Sequence, residues 1–205
     1  MNPISEKIEK YLNEIEQKES NQMLTESYYF NKEIEKEAKD KSILKHPDLT
    51  KVADEQGRTR LHYAAKYHKE VLDHPDVANL KDKYGETPLH HAAEHHKEAL
   101  SHSDITKPKN MYGQTPLHFA AMYHKEALNH PDVAKIKDKN GYTPLHFSAL
   151  NHKEALNHPD VDKVKNKYGT TPLHFSASSL GQTRNPEAPT EAKRRVKAKK
   201  LQKKN

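Results

Sequence analysis

The stretch GQTPLHFAAMYHKEALNHPDV, residues 113–133, decides the fold, because close copies of it return every 28 residues. Its first phrase, Gly-x-Thr-Pro-Leu-His, is complete in four copies and reads GRTRLH in an earlier, weaker one. Self-similarity at a fixed period is typical of a stack of small units that cannot bury their apolar faces alone. Such a stack offers an extended binding surface more readily than a catalytic pocket. The copies begin at Gly57, Gly85, Gly113, Gly141 and Gly169.

The sequence of each unit predicts an α-helix followed by a short second helix. Gly supplies a turn with a positive φ, Thr caps the first helix, and Pro occupies its first position, where a missing N–H costs nothing. In the unit that begins at Gly85, we expect Leu89, Ala92 and Ala93 to point into the stack. We expect the second helix to run from about 96 or 97 to 101 and to bury Leu100. In most units His-Pro-Asp ends it, since a residue before Pro avoids the helical region.

The units resemble ankyrin repeats over roughly residues 41–180. The phrase G-x-TPLH-x-A-A is that family's most recognisable string, and it stands nearly intact in four consecutive units. The resemblance implies antiparallel helix pairs that are joined by projecting hairpin-like loops and stacked into a curved array. The units here have 28 residues, whereas ankyrin units have about 33, and the shortening falls in the second helix. We therefore expect an all-α, ankyrin-like helical solenoid.

Three regions divide the chain. Residues 1–40 carry apolar side chains at helical spacing, so we expect a helical capping region, with a partner-binding or self-associating helix as the alternative. Residues 41–180 form the repeat array. Residues 181–205 carry nine basic and two acidic side chains, a net charge of +7, whereas the rest of the chain sums to −1. We expect this last region to be a basic, flexible tail.

Composition and motifs narrow the class of protein. The chain has no Cys, which excludes a disulfide framework, and it has no apolar run long enough to span a bilayer. No nucleotide-binding or catalytic motif is present. The Lys-Glu pair beside a His recurs four times, whereas a catalytic centre is singular. We therefore expect a non-enzymatic, intracellular, cytoplasmic monomer without cofactors, with the nucleus as the alternative location if the protein is eukaryotic or delivered to a host cell.

All sixteen histidines lie in the array, and fourteen of them occupy three repeated positions. The resemblance implies that the His of TPLH is structural and bonds neighbouring loop backbone and hydroxyls. The other two, His91 and His95, lie four apart on one predicted helix face, a spacing that can chelate Zn²⁺ or Ni²⁺. No acidic residue or Cys completes the set in sequence, so we expect no metal site. Histidines buried in the neutral form predict that the fold loses stability in acid.

Comparison of the units within this chain separates the recurring scaffold from variable positions. The variable positions follow the Gly or lie late on the first helix, and the resemblance implies that loops and first helices form the partner face. A few aromatic and apolar residues dominate most interfaces. For Phe119, Phe147 and Met122 the alternative is packing between layers, and for Tyr142 it is idle exposure at a loop tip. The candidate partner-binding residues are Tyr67, Glu86, Glu94, His95, Gln114, Met122, Tyr123, Tyr142, Leu150 and Asn151.

The leading interpretation is a protein–protein interaction scaffold that binds a partner of unknown identity through these positions. One alternative is nucleic-acid or anionic-surface binding through the basic tail. Aromatic side chains for base stacking are missing there, so such binding would be weak and independent of sequence. Another alternative, by analogy with short TPLH arrays, is a bacterial or phage effector that sequesters a host factor. The tail residues concerned are Lys193, Arg194, Arg195, Lys197, Lys199 and Lys200.

Overall fold

A computed structural model of the chain describes residues 31–180, with side chains described as far as residue 176. Regular structure in this range is helical, apart from one antiparallel bridge between Val52 and Thr59. Residues 31–37 form helix α1. The later α-helices are α2 (Arg60–Ala64), α3 (Pro88–His95), α4 (Pro116–Tyr123), α5 (Pro144–Asn151) and α6 (Pro172–Leu180). The 3₁₀ helices are η1 (Lys41–Lys45), η2 (Lys69–Asp73), η3 (Lys97–Ser101), η4 (Lys125–Asn129) and η5 (Lys153–Asn157).

Successive α-helices from α2 to α6 pack against one another, and each also contacts a neighbouring 3₁₀ helix. The described chain is therefore an all-α solenoid of stacked helical units, as the sequence predicts. Most of the expected capping region, residues 1–30, lies outside the described residues, and so does the basic tail, residues 181–205.

The Thr-Pro-Leu-His phrase begins each complete α-helix in the expected way. In α4, Thr115 is the N-cap residue and Pro116 is the first helical residue. His118 Nδ1 accepts the backbone N–H of Thr115 at 3.1 Å and lies 3.0 Å from the Thr115 hydroxyl oxygen. An imidazole thus takes the place that Glu or Gln holds in an ordinary capping box. Because the backbone N–H can only donate, Nδ1 is unprotonated and the neutral ring carries its proton on Nε2.

A glycine in the left-handed region precedes each cap. The φ of Gly141 is +81°, a value that residues with a Cβ rarely adopt. A Cβ at Gly141 would also lie 2.9 Å from the backbone nitrogen of Lys167, in the loop of the next unit. Glycine is therefore required both for the turn itself and for the close approach of the next loop.

The second helix of each unit is tighter than the family resemblance implies. Lys97–Ser101 forms a 3₁₀ helix, which the N–H of His102 closes with a 3.0 Å bond to the carbonyl oxygen of Ala99. Side chains three residues apart eclipse one another in such a helix. Ala99 is fully buried in this helix, whereas Leu100 is only partly buried at the edge of the core. This corrects the expectation that Leu100 is the buried residue.

The core follows the Leu of each TPLH phrase through the stack. Leu61, Leu89, Leu117 and Leu145 are fully buried, and small alanines beside them allow close packing of the helices. The N–H of Leu117 donates to the carbonyl oxygen of Ile105 at 3.0 Å, and the same bond recurs in each unit. The loop that follows each 3₁₀ helix is thereby fixed to the start of the next α-helix.

The two ends of the described array differ. At the first end, Ile34 and Ala38 are buried against Tyr63 and Tyr67, so α1 and the residue after it cover the first unit. At the last end, Leu173 of α6 is 44% exposed, although its counterparts in α2 to α5 are fully buried. Each unit needs a neighbour on both sides to bury its apolar residues completely.

Candidate partner-binding surface

The histidines of the TPLH phrases connect successive units. His118 Nε2 lies 3.2 Å from the carbonyl oxygen of Tyr142, the residue that follows the glycine of the next unit. Since Nδ1 is the acceptor for Thr115, Nε2 is the donor in this bond. The equivalent bonds have lengths of 3.1 to 3.2 Å and run from His62 to Glu86, His90 to Gln114, and His146 to Thr170.

These rings are held in the neutral form. Burial is the main cause that lowers the pKa of His62, His118 and His146 to about 4, and that of His90 to about 3. The charged imidazolium would have to leave water without a compensating partner, so the folded array disfavours protonation. The expectation that the TPLH histidines are structural is confirmed.

A second set of histidines shapes the loop after each 3₁₀ helix. His102 Nδ1 accepts the backbone N–H of Asp104 at 3.0 Å, and His74 accepts that of Asp76 at 3.1 Å. Neighbouring loops are also joined directly, since the N–H of Met111 donates to the carbonyl oxygen of Tyr84 at 2.7 Å. Side-chain and backbone bonds therefore hold the layers in fixed register.

The aromatic residues after TPLH pack between layers. The Phe119 ring meets the His90 ring edge-on with centroids 5.3 Å apart, and Phe147 meets His118 at 5.7 Å. Both phenylalanines are buried. Their role is therefore in the scaffold, which is the alternative that the sequence left open for them.

Six candidate partner-binding residues lie side by side at the C-terminal ends of α3, α4 and α5. Three of them, His95, Tyr123 and Asn151, are exposed, with Tyr123 at 49%, and the other three are half-buried. Packed helices stand about 8–10 Å apart, so the surface spans roughly 20 Å across three units. We call it the helix-end ridge, and its residues are Glu94, His95, Met122, Tyr123, Leu150 and Asn151.

The other four candidates lie elsewhere in the array. Tyr67 is covered by α1, and its hydroxyl donates to Glu35 Oε1 at 3.0 Å. Gln114 is only 3% exposed, which leaves its side chain inaccessible to a partner. The half-buried Tyr142 packs edge-on against Phe175, with centroids 5.3 Å apart. Glu86 is half-buried next to His91. None of these four side chains belongs to the helix-end ridge.

The structure also presents residues that the sequence reasoning missed. Met111 and Tyr168 are exposed, Tyr168 at 66%, on the turns that project before each glycine. Met111 stands where the neighbouring units have Lys83 and Lys139, and this variation was a signal that could have identified the turn. An eight-residue helix is about 12 Å long, so these turns lie well away from the helix-end ridge. We call them the loop tips.

One side-chain cluster in the described residues has the composition of a metal site. Asp82, Glu86 and His91 each place a ligand-type atom within 4.8 Å of the others. The prediction concerned an acidic residue that would complete the pair of His91 with His95; the carboxylates of this cluster instead come to the His91 ring from the turn before α3. His95 is exposed and lies outside the cluster. The pairing of His91 with His95 is thus replaced by a different set of groups.

Comparison with known protein families gives one match. A family model described as ankyrin repeats, in three copies, matches residues 69–136, which include α3, α4 and the 3₁₀ helices around them. No curated protein matches the chain. None of the helices within residues 31–180 combines the length and the apolarity that crossing a membrane requires.

Proposed function

The chain is an ankyrin-repeat protein, and we propose that it acts as a non-enzymatic scaffold whose protein partner docks on the helix-end ridge. Ankyrin repeats generally mediate protein–protein interactions. The helix-end ridge brings together six of the residues that differ between units. Its side chains therefore form a surface that is not repeated elsewhere in the described array.

The proposal rests on a contrast between neighbouring positions. Ala93, Ala121 and Ala149 are buried and identical in three successive units, which fits a scaffold role. Two residues later, the exposed position changes from His95 to Tyr123 and then to Asn151. Tyrosine is enriched among the residues that dominate interface energies. Tyr123, at the centre of the ridge, is therefore the proposed anchor.

Bonds between layers support this role because they hold the ridge rigid. Asn151 Nδ2 donates to the carbonyl oxygen of Met122 at 2.8 Å, and Ser148 Oγ donates to that of Ala121 at 2.9 Å. A surface that is ordered before binding loses less conformational entropy when a partner docks. The ridge therefore needs fewer favourable contacts to reach a given affinity.

The experiment begins with affinity purification from the native host, followed by reconstitution of each recovered protein with the purified chain. Binding is then measured for the wild type, Tyr123→Ala and the matched control Tyr168→Ala, which removes a more exposed ring from a loop tip. We expect Tyr123→Ala to raise the dissociation constant at least about tenfold, as loss of a hot-spot residue does. Tyr168→Ala should stay within about twofold of the wild type.

The reverse pattern would place the interface on the loop tips and overturn the assignment to the helix-end ridge. Wild-type affinity in both variants, with circular dichroism showing both folded, would contradict docking on either surface.

The uneven charge of the chain favours a second candidate function. Residues 181–205 carry a net charge of +7, a density suited to phosphate contacts, so we propose weak, sequence-independent binding of nucleic acid as the alternative. A gel shift with duplex DNA at low salt compares the full chain with a variant that ends at Gly181. Equal shifts for the two proteins would exclude the tail as the binding element.

A further inference from the structure

We propose that Asp82, Glu86 and His91 form a binding site for one divalent transition-metal ion of the zinc class. The three residues supply two carboxylate oxygens and one imidazole nitrogen, all within 4.8 Å of one another. Zinc binds such atoms at about 2.0–2.2 Å, which places tetrahedral ligands roughly 3.4 Å apart. A contraction of at most about 1.4 Å in any pair of these atoms would bring the set to that geometry.

His91 carries the independent observation that points to a ligand. Its side chain is only 8% exposed, and its Nε2 is buried without a hydrogen-bond partner. Glu86 Oε2 lies 4.0 Å away, too far for a hydrogen bond. A buried polar atom without a partner is unusual in a folded protein. Three other imidazoles among the described residues share this feature, but they belong to no such cluster of carboxylates. An ion between the His91 imidazole and the carboxylates would satisfy this nitrogen.

The two carboxylates are held at the site by neighbouring groups. Asp82 Oδ1 accepts the backbone N–H groups of Tyr84 and Glu86 at 2.8 and 2.9 Å, which fixes the turn before α3. Glu86 Oε1 accepts from Asn110 Nδ2 at 3.3 Å. Hydrogen bonds from neighbouring groups orient metal ligands in this way. The Glu86 side chain is largely buried, with 14% exposed, so the site reaches solvent only narrowly on that side.

The electrostatic surroundings allow a cation. Burial lowers the pKa of His91 well below its ordinary value and raises that of Asp82 to about 6. Lys66 and Arg58 are the nearby cations that oppose a metal, and the Arg58 Nε pairs with Asp54 Oδ2 at 2.6 Å. Two carboxylates then balance the double charge of the ion.

Among the units that the structure describes, the cluster exists in one alone. At the three equivalent positions, the next unit has Asn110, Gln114 and Phe119, and the unit after it has Asp138, Tyr142 and Phe147. A singular set of metal-binding side chains within a repetitive array is not explained by the packing that all units share, because the other units pack without it.

The same comparison supplies mild substitutions. His91→Phe, Asp82→Asn and Glu86→Gln each introduce the residue that the next unit carries at that position. We expect each variant to fold, and thermal unfolding monitored by circular dichroism checks this. His95→Phe is the matched control, because it removes an exposed histidine from the same helix and leaves the cluster intact.

Calorimetric titration of the metal-free full chain with Zn²⁺ at pH 7.5 tests the proposal. We expect one tight equivalent, separate from weaker binding by the other histidines. His91→Phe should weaken it at least about 100-fold, the upper range for loss of a ligand's supporting partner. His95→Phe should leave it within about twofold. Zn²⁺ should raise the melting temperature of the wild type and of His95→Phe, but not that of His91→Phe.

Titration with Co²⁺ gives a second readout, since its visible absorption reports nitrogen and oxygen coordination. The band should appear in the wild type and be lost in His91→Phe. Absence of a tight Zn²⁺ equivalent in the wild type would overturn the proposal, and so would equal losses in His91→Phe and His95→Phe. Each outcome is independent of partner binding, which is measured on the helix-end ridge.

Discussion

His118 Nε2 donates a 3.2 Å hydrogen bond to the carbonyl oxygen of Tyr142, which lies 24 residues further along the chain. Through Nδ1 the same ring accepts the N–H of Thr115, the residue that caps its own helix. One neutral imidazole thus joins the start of a helix to the loop of the next unit. Because the arrangement recurs along the stack, the cohesion of the array depends on the protonation state of these rings.

We first predict that the array loses stability as the pH falls from 7.5 to 5.5. The pKa values of His62, His90, His118 and His146 in the folded chain are about 3 to 4, below the unfolded value of about 6.5. The unfolded chain therefore takes up protons first, so stability is complete above about pH 6.5 and falls from there towards pH 4. Between pH 7.5 and pH 5.5, each histidine should lower the free energy of unfolding by about 1 kcal/mol.

Urea unfolding at the two pH values and constant salt measures this effect. Asp82 acts in the opposite direction below about pH 6, because burial raises its pKa to about 6 and the folded chain binds its proton more readily. Asp138 acts in the same direction, because burial also raises its pKa, and the four histidines outweigh these two carboxyl groups. A midpoint that did not move between pH 7.5 and 5.5 would refute the assignment of neutral, buried rings.

The second prediction concerns His118→Ala, which leaves the Thr115 N–H and the Tyr142 carbonyl without their partner. We expect a loss of about 2–4 kcal/mol in the free energy of unfolding, from the unpaired groups and the vacated volume. The pH dependence of stability below pH 6.5 should also weaken by about 1.4 kcal/mol per pH unit, since one titrating group is gone. The exposed His95→Ala serves as the control, and a loss equal to that of the control would contradict the prediction.

The third prediction compares glycine positions that share a backbone conformation. The φ values of Gly141 and Gly169 are +81° and +75°, but a Cβ would lie 2.9 Å from the Lys167 nitrogen at Gly141 and would meet nothing within 4 Å at Gly169. Both substitutions by Ala should cost about 1 kcal/mol for the left-handed backbone. Gly141→Ala should lose a further 1 kcal/mol or more, since overpacking typically costs about 1–3. Equal melting temperatures of the two variants would show that the next loop moves freely.

A buried charge pair in the first unit gives the fourth prediction. Arg58 Nε lies 2.6 Å from Asp54 Oδ2, which also accepts from the Tyr63 hydroxyl at 2.8 Å. Asp54→Ala leaves a largely buried guanidinium without its partner, so we expect a loss of about 3 kcal/mol or more in the free energy of unfolding. Asp48→Ala removes an exposed pair with Lys51 and should change the urea midpoint little. Similar midpoints for the two variants would contradict the prediction.

Most of the fold could be predicted from the sequence, because the residues that specify each turn and helix start lie next to one another in the chain. Gly113, Thr115 and Pro116 specify a turn, a cap and a first helical position by their own backbone chemistry, and the period places each unit beside its copy. The second helix was harder to predict, because its helix type depends on how five residues fit between two fixed ends. That fit gives the buried position to Ala99 and leaves Leu100 at the edge of the core.

The candidate surface was less predictable. Variation between units selected Tyr123, which is exposed, and Gln114, which is buried, by the same criterion. Variation shows only that a position is free to change, whereas exposure depends on what the adjacent layer places over it. Tyr67 is a further example, since α1 covers it through contacts more than thirty residues away in sequence.

The sequence by itself determined the repeating unit, because turn, cap and helix start depend on residues within a few positions of one another. The tertiary structure decided which groups from different parts of a unit come together. Asp82 and His91 are separated by a turn and a helix start, and only the path of the backbone brings the carboxylate to the buried imidazole. Local backbone preferences act over a few bonds, whereas proximity across a turn depends on how the whole layer packs.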